Sequence, residues 1–115
     1  LNPKNIYFGN KDMQQLKIVE HFVKKKYPDT KIVSCNTVRE KNGVACSSRN
    51  KLLLPDEKII ASKVYKIISK NKLLILNKKV SLPYVKKNIL NLGIKKIDYI
   101  EVLDLDKIFN TFKKK

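Results

Sequence analysis

A change of period near the start of the chain constrains its fold more than any other feature. Ile6-Tyr7-Phe8 is a short apolar run that stops at Gly9, as a buried strand does before a tight turn. From Asp12 to about Lys26 the apolar residues Leu16, Val19, Phe22 and Val23, with Tyr27 just beyond, recur at helical spacing. A strand must therefore hand over to a helix within a few residues, and Asn10, Lys11, Asp12, Gln14 and Gln15 crowd into that corner. The start of a helix carries unpaired N–H groups and partial positive charge, so it receives anions. Gly9 would let a ligand approach the backbone. Lys11 would supply a point charge for a phosphate, and Asp12 could accept hydrogen bonds from ribose hydroxyls. Gln15, three residues past Asp12 on the same helical face, can both donate and accept. The plainer reading makes Asp12 an N-cap and leaves Lys11 and Gln15 in solvent.

Beyond the first helix, Lys24-Lys25-Lys26 suits the negative end of the dipole, and Pro28-Asp29 breaks the pattern. "KIVSCNTVRE" is β-rich, and "KNG" reads as a turn. If Asn42-Gly43 were a two-residue hairpin turn, Cys35 would face Asn50 and Cys46 would face Arg39, so the two thiols would not pair. A second helix should begin at Pro55, with Asp56 and Glu57 in its first turn, and end near Lys70. It should turn Ile59, Ile60, Val64, Tyr65, Ile67 and Ile68 inward. Residues 71–80 stand open between helix extension and loop. A third helix is expected from Ser81 as cap, through Pro83, to Leu92, with Gly93 as its stop. "KKIDYIEVLD" reads as a strand, and "DKIFNTF" as a short helical segment before a lysine tail.

The 115 residues make one domain's worth of chain, or a piece of a larger protein, and 43% hydrophobic content is enough for a core. No run approaches the roughly 18 apolar residues of a membrane span, and no signal-peptide layout opens the chain. The expectation is a soluble, cytoplasmic protein without a membrane partner. The formal charge of +16 raises a second class of function, a small lysine-rich nucleic-acid-binding module. Only Arg39 and Arg49 among the 26 cations are arginines, however, whereas base edges and phosphates are gripped bidentately by guanidinium groups. Solvated lysines are the preferred reading, with nucleic acid the alternative partner. Two cysteines and a single His21, which falls off the apolar face, have no metal-ligand spacing.

"CSSRN" repeats the choice posed by the corner. Ser47 and Ser48 could cap the segment that follows while Arg49 makes a surface ion pair. Alternatively, two hydroxyls, their backbone N–H groups and a guanidinium form a second phosphate grip.

Taken together, "YFGNKDMQQL" and "TVREKNGVACSSRN" resemble pantothenate synthetase (pantoate–β-alanine ligase). That family carries a G-E-K-D-x-Q-Q corner followed by T-V-R-E…G-L-A-[LM]-S-S-R-N, and "YIEVLD" fits its later segment. The resemblance covers nearly the whole chain in order. It implies an α/β to α+β fold. Residues 1–39 would be the last strand-helix-strand of a Rossmann-like nucleotide-binding domain, and residues 40–115 a small α+β C-terminal lid. It also implies that pantoate is joined to β-alanine at the expense of ATP, with Mg2+, through pantoyl adenylate.

Carried over by position, the resemblance assigns Gly9 and Asp12 to the ATP ribose and Lys11 to its phosphates. Gln15 would bind pantoate. Val38 would meet adenine through its backbone, and Ser47, Ser48 and Arg49 would hold phosphates on a mobile loop. Lys11 and Arg49 would stabilise charge during the reaction. Two members of the ATP set depart from the pattern: Asn10 stands where the family usually has Glu, and Cys46 where it has Leu or Met. The family's catalytic histidines lie in an H-x-G-H motif, and His21 does not correspond to it. The chain is accordingly expected to be the C-terminal part of the enzyme, trimmed at both ends. It should be inactive alone, poor in ATP affinity and least stable over residues 1–38. The full enzyme should be a homodimer.

Overall fold

The structure, a computed structural model, describes residues 2–107. Its described residues divide into two units, residues 2–38 with 103–107, and Arg39–Val102.

The first unit is a strand-helix-strand. Strand β1 (Asn5–Gly9) passes through a 3-10 turn, Asn10–Asp12, into helix α1 (Met13–Lys26), and strand β2 (Lys31–Cys35) follows. The strands pair in parallel, from Asn5 opposite Lys31 to Gly9 opposite Cys35. A parallel pair needs a crossover, and α1 supplies it by packing back on both strands. Leu16 and Val23, two turns apart on one face, are the buried anchors. Phe22 and Tyr27, expected on that face, are about half exposed and meet each other edge to face at 6.4 Å. They lie at the margin of a helix face that only two strands cover among the described residues. The crossover returns through Thr30, whose Oγ1 donates to the Pro3 carbonyl at 2.8 Å and ties the amino ends of the strands.

The second unit opens with a tight hairpin. Arg39 and Ala45 form an antiparallel bridge, and the Glu40 N–H donates to the Val44 carbonyl at 2.8 Å. The loop is thus Lys41-Asn42-Gly43, one residue longer than expected, with Gly43 at φ +91. This is the glycine-dependent three-residue hairpin rather than the two-residue one. Arg39 therefore opposes Ala45 and not Cys46. Neither cysteine is in a disulfide.

Helix α2 (Pro55–Leu76) starts at Pro55 as expected, and the Leu54 N–H donates to the Glu57 carboxylate at 2.8 Å. It runs six residues past Lys70, through residues left open by the sequence, because Leu73-Leu74-Ile75-Leu76 continue helix-favouring chemistry. It stops in a Schellman motif: Lys79 N–H to Leu74 C=O at 2.8 Å and Lys78 N–H to Ile75 C=O at 3.0 Å. The left-handed position is Lys78, φ +57, so no glycine advertised the stop. Helix α3 (Leu82–Leu90) is capped by Ser81, whose Oγ accepts from the Tyr84 N–H at 3.2 Å, and a turn follows with Gly93 at φ +97. Val85 and Ile89 of α3 are buried in its packing on α2. Ile59 and Ile68, expected to point inward, are exposed. The nine residues of α3 are too short to cover a helix of twenty-two.

One expectation fails outright. Residues 95–104 form no strand, because none of the described segments pairs with them and an unpaired strand leaves its backbone groups unsatisfied. The expected "DKIFNTF" helix lies mostly outside the described residues; its described start, Asp106 and Lys107, is in a turn closed by the Lys107 N–H on the Asp104 carbonyl at 3.0 Å.

Candidate functional site

The predicted residues fall into two groups. In the first unit, the parallel register makes β1 and β2 end side by side, at Gly9 and Cys35. The residues just beyond each strand meet: Asn10 Nδ2 donates to Asn36 Oδ1 at 3.5 Å. Val38 lies three residues past the end of β2 and is 72% exposed. The corner and Val38 thus share the carboxyl edge of one parallel sheet, the edge where open α/β sheets bind ligands.

The fold makes little demand on Gly9 and Asp12 of this corner. Gly9 has an extended backbone, φ −75 and ψ 142, and a methyl group added there would meet nothing within 4 Å. Asp12 occupies the N-cap position of α1 but makes no capping hydrogen bond. Its φ −99 and ψ 62 depart from the extended geometry that turns a cap side chain onto the helix N–H groups. The N-cap reading of Asp12 is therefore corrected: the 3-10 turn ahead of α1 takes up those backbone angles. Lys11 and Gln15 are exposed. Asn10 is half-buried, and its Oδ1 is shielded from solvent without a donor.

In the second unit, Ser47 begins the 3-10 segment Ser48–Leu52. Its Oγ accepts from the Arg49 N–H at 3.2 Å, and its carbonyl accepts from the Asn50 N–H at 3.1 Å. Ser47 therefore caps, as one reading of the sequence had it. The Arg49 N–H is already occupied, so a grip made from all the backbone N–H groups of this segment is not what the structure presents. The surface ion pair of Arg49 that the plainer of the two readings offered is not formed among the described residues either. Cys46, Ser48 and the Arg49 side chain are exposed.

Residues the sequence reading passed over hold this segment in place. Asn50 Nδ2 donates to Glu40 Oε1 at 2.8 Å and to the Ala45 carbonyl at 3.0 Å. Ser62 of α2, buried, donates to the Asn42 carbonyl at 2.8 Å. The Arg39 guanidinium lies 4.3 Å from the centre of the Tyr65 ring and donates to the Gly43 carbonyl at 3.0 Å. The available signal was the spacing of Ser62 and Tyr65, one turn apart on a helix and thus able to face one turn together. Among the described residues no three His, Cys, Asp or Glu side chains gather as a metal site, and no helix is long and apolar enough to cross a membrane.

Comparison with known proteins gives these residues their context. The family model for pantoate-beta-alanine ligase matches residues 1–115. Pantothenate synthetase of Legionella pneumophila (strain Corby) is 43% identical over 101 residues, covering 88% of this chain and 36% of that protein. The Flavobacterium psychrophilum pantothenate synthetase is 39% identical over 106 residues, covering 90% and 38%. The chain thus spans little more than a third of the length of these curated relatives. A crystal structure of pantoate-beta-alanine ligase from Francisella tularensis, complexed with beta-gamma ATP and beta-alanine, matches with a TM-score of 0.74 and 34% identity. That match covers 90% of this chain and 37% of the other. Pantothenate synthetase from Thermus thermophilus matches with a TM-score of 0.73 and 26% identity, over 92% of this chain and 40% of that one. With a strand-helix-strand corner, a serine-arginine segment and a family match along its whole length, the chain belongs to the pantoate–β-alanine ligase family.

Proposed function

We propose that this chain is the nucleotide-holding portion of an ATP-dependent ligase that condenses pantoate with β-alanine. The observation that carries the reading is the shared carboxyl edge of β1 and β2, which bears Gly9, Asn10, Lys11, Asp12 and Val38. In the reaction, a pantoate carboxylate oxygen attacks the α-phosphorus of ATP and pyrophosphate leaves. The β-alanine amine then attacks the acyl carbon of pantoyl adenylate, and AMP leaves. Both steps shift negative charge, which fixed cations and N–H donors stabilise in the transition state.

In this reading Asp12 accepts from the ribose hydroxyls, Gly9 admits the sugar close to the backbone, and Val38 offers main-chain groups to adenine. Lys11 meets the phosphates, and Gln15 hydrogen-bonds pantoate. Ser47, Ser48 and Arg49, with Cys46 beside them in sequence, hold phosphate oxygens through hydroxyls and the guanidinium rather than through the Arg49 N–H. Residues 40–115 would act as a lid. Mg2+ characteristically binds through substrate phosphates and water with few protein ligands. Bound with the triphosphate, it would neutralise charge.

The H-x-G-H histidines expected of the family are not among these 115 residues, so the chain alone should not turn over. The complete enzyme is proposed to be a cytoplasmic homodimer. The relatives lend no support to the nucleic-acid alternative.

The test is a magnesium-ATP titration of the isotope-labelled chain, alone and with the remainder of a family member supplied in trans. Amide shifts centred on Gly9–Gln15, Val38 and Ser47–Arg49 are expected. Lys11→Ala should weaken binding about tenfold, the scale of a charge-assisted hydrogen bond. Unchanged resonances at these positions in both settings would overturn the proposal.

A further inference from the structure

We propose that Asn50 is a positioning residue, whose side chain fixes the segment from which Ser47, Ser48 and Arg49 project; the purpose of that positioning rests on the nucleotide reading above. Asn50 Nδ2 spends one proton on Glu40 Oε1 at 2.8 Å and the other on the Ala45 carbonyl at 3.0 Å. Ala45 immediately precedes Cys46-Ser47-Ser48-Arg49 and Asn50 immediately follows it, so one amide nitrogen ties together both ends of the segment. The Asn50 N–H adds a bond to the Ser47 carbonyl at 3.1 Å, and the Arg49 N–H one to Ser47 Oγ at 3.2 Å.

The acceptors are themselves fixed. Glu40 is held at both backbone groups, its N–H on Val44 and its carbonyl under the Gly43 N–H at 2.9 Å. The turn it borders is fastened to α2 by Ser62 on the Asn42 carbonyl, by Gly43 against the Tyr65 ring and by Arg39 over that ring. A continuous line of contacts therefore runs from a 22-residue helix, through the turn and Glu40, to Asn50. At its far end the backbone of Arg49 is pinned while its guanidinium is exposed. Pinning the backbone lowers the conformational freedom that a ligand must remove, which is how a supporting shell raises affinity without touching the ligand.

The geometry also explains the residue type. Two acceptors at one nitrogen require two donors on that nitrogen, which a primary amide has and a carboxylate, hydroxyl or hydrocarbon lacks. Asp at position 50 would set its charge against Glu40 and the Ala45 carbonyl.

The experiment compares Glu40→Gln, Asn50→Asp and the double variant in the 115-residue chain. The readouts are amide hydrogen exchange without nucleotide and the magnesium-ATP shift at Ser48 and Arg49, relative to that at Gly9–Gln15. Glu40→Gln keeps an acceptor and should behave as the parent. Asn50→Asp should speed exchange at the Arg49 and Asn50 amides about tenfold and shrink the nucleotide response of Ser48 and Arg49 severalfold. The corner's response and the α2 and α3 amides should stay as they were. In the double variant a glutamine amide at 40 can donate to the new carboxylate at 50 while the Ala45 carbonyl still lacks its donor, so both readouts should recover in part.

Parent-like exchange in Asn50→Asp, a uniform loss of protection through α2 and α3, or no recovery in the double variant would each overturn the assignment. If the parent chain shows no nucleotide response either alone or with the remainder of a family member supplied in trans, the nucleotide reading fails, and the exchange data alone decide whether Asn50 pins the segment.

Discussion

The strand-helix corner and the Ser47–Arg49 segment are both crowded with polar side chains, but the fold treats them in opposite ways. In the corner, Gly9 is in a backbone conformation open to any residue with empty space around it, and Asp12 stands at a cap position without capping. In the serine-arginine segment the backbone is held: Ser47 caps, Asn50 spends both amide protons, and the adjoining turn is locked onto α2. A residue type that the fold does not require is a pointer to a ligand. One that the fold does require is a pointer to preorganisation, with the ligand contact displaced to the neighbour it positions.

The two glycines offer the largest effect by which this contrast can be broken. Gly43 sits at φ +91, and a Cβ there would overlap the Cδ1–Cε1 edge of the Tyr65 ring. Gly43→Ala combines a left-handed backbone penalty with overpacking and should cost the second unit about 3 kcal/mol, read by urea unfolding followed at α2 and α3 amides. Gly43→Ala with Tyr65→Ala should regain part of the strained packing relative to Gly43→Ala. Gly9→Ala should change stability by less than about 0.5 kcal/mol while weakening the magnesium-ATP response at the corner. Equal losses of stability at the two positions would end the comparison.

What the sequence made legible follows the same division. Periodicity revealed β1, α1, the start of α2 and the Ser81-to-Gly93 frame of α3, because each is marked by apolar spacing together with a cap, a proline or a glycine. The end of α2 escaped because its left-handed residue is a lysine, and the hairpin register slipped by one because an Asn-Gly pair serves both two- and three-residue turns. The strand expected near Tyr99 had β-forming residues but no partner among the described segments, and pairing is a tertiary property. The candidate residues themselves were legible as a family pattern. Their supports, Asn50 on Glu40 and Tyr65 under Arg39, were not, since each joins residues whose proximity depends on the hairpin docking on α2.

A smaller effect separates the two helix starts. Ser81 Oγ accepts from the Tyr84 N–H, so Ser81→Ala should cost about 1 kcal/mol, visible as a lower urea midpoint for α3. Asp12→Ala removes no capping bond and should cost only the roughly 0.3 kcal/mol that a carboxylate gains near the positive end of the dipole. A full capping cost at Asp12 would mean that the carboxylate caps α1 in solution and is not left by the fold for a ribose.

The smallest effect tests whether positive φ or neighbour contact dictates glycine in the second unit. Lys78 ends α2 at φ +57 and shares the left-handed half of backbone space with Gly43. A side chain there carries a steric cost that glycine would remove, partly offset by the greater freedom of glycine in the unfolded chain. Lys78→Gly should therefore stabilise the unit by about 0.5 kcal/mol, a rise in urea midpoint with the slope unchanged. If the gain instead matched the loss from Gly43→Ala in size, backbone angle alone would account for both positions. A small gain beside a large loss would assign most of the Gly43 effect to the Tyr65 ring, and with it the docking of the hairpin that sets Glu40, Asn50 and Arg49 in place.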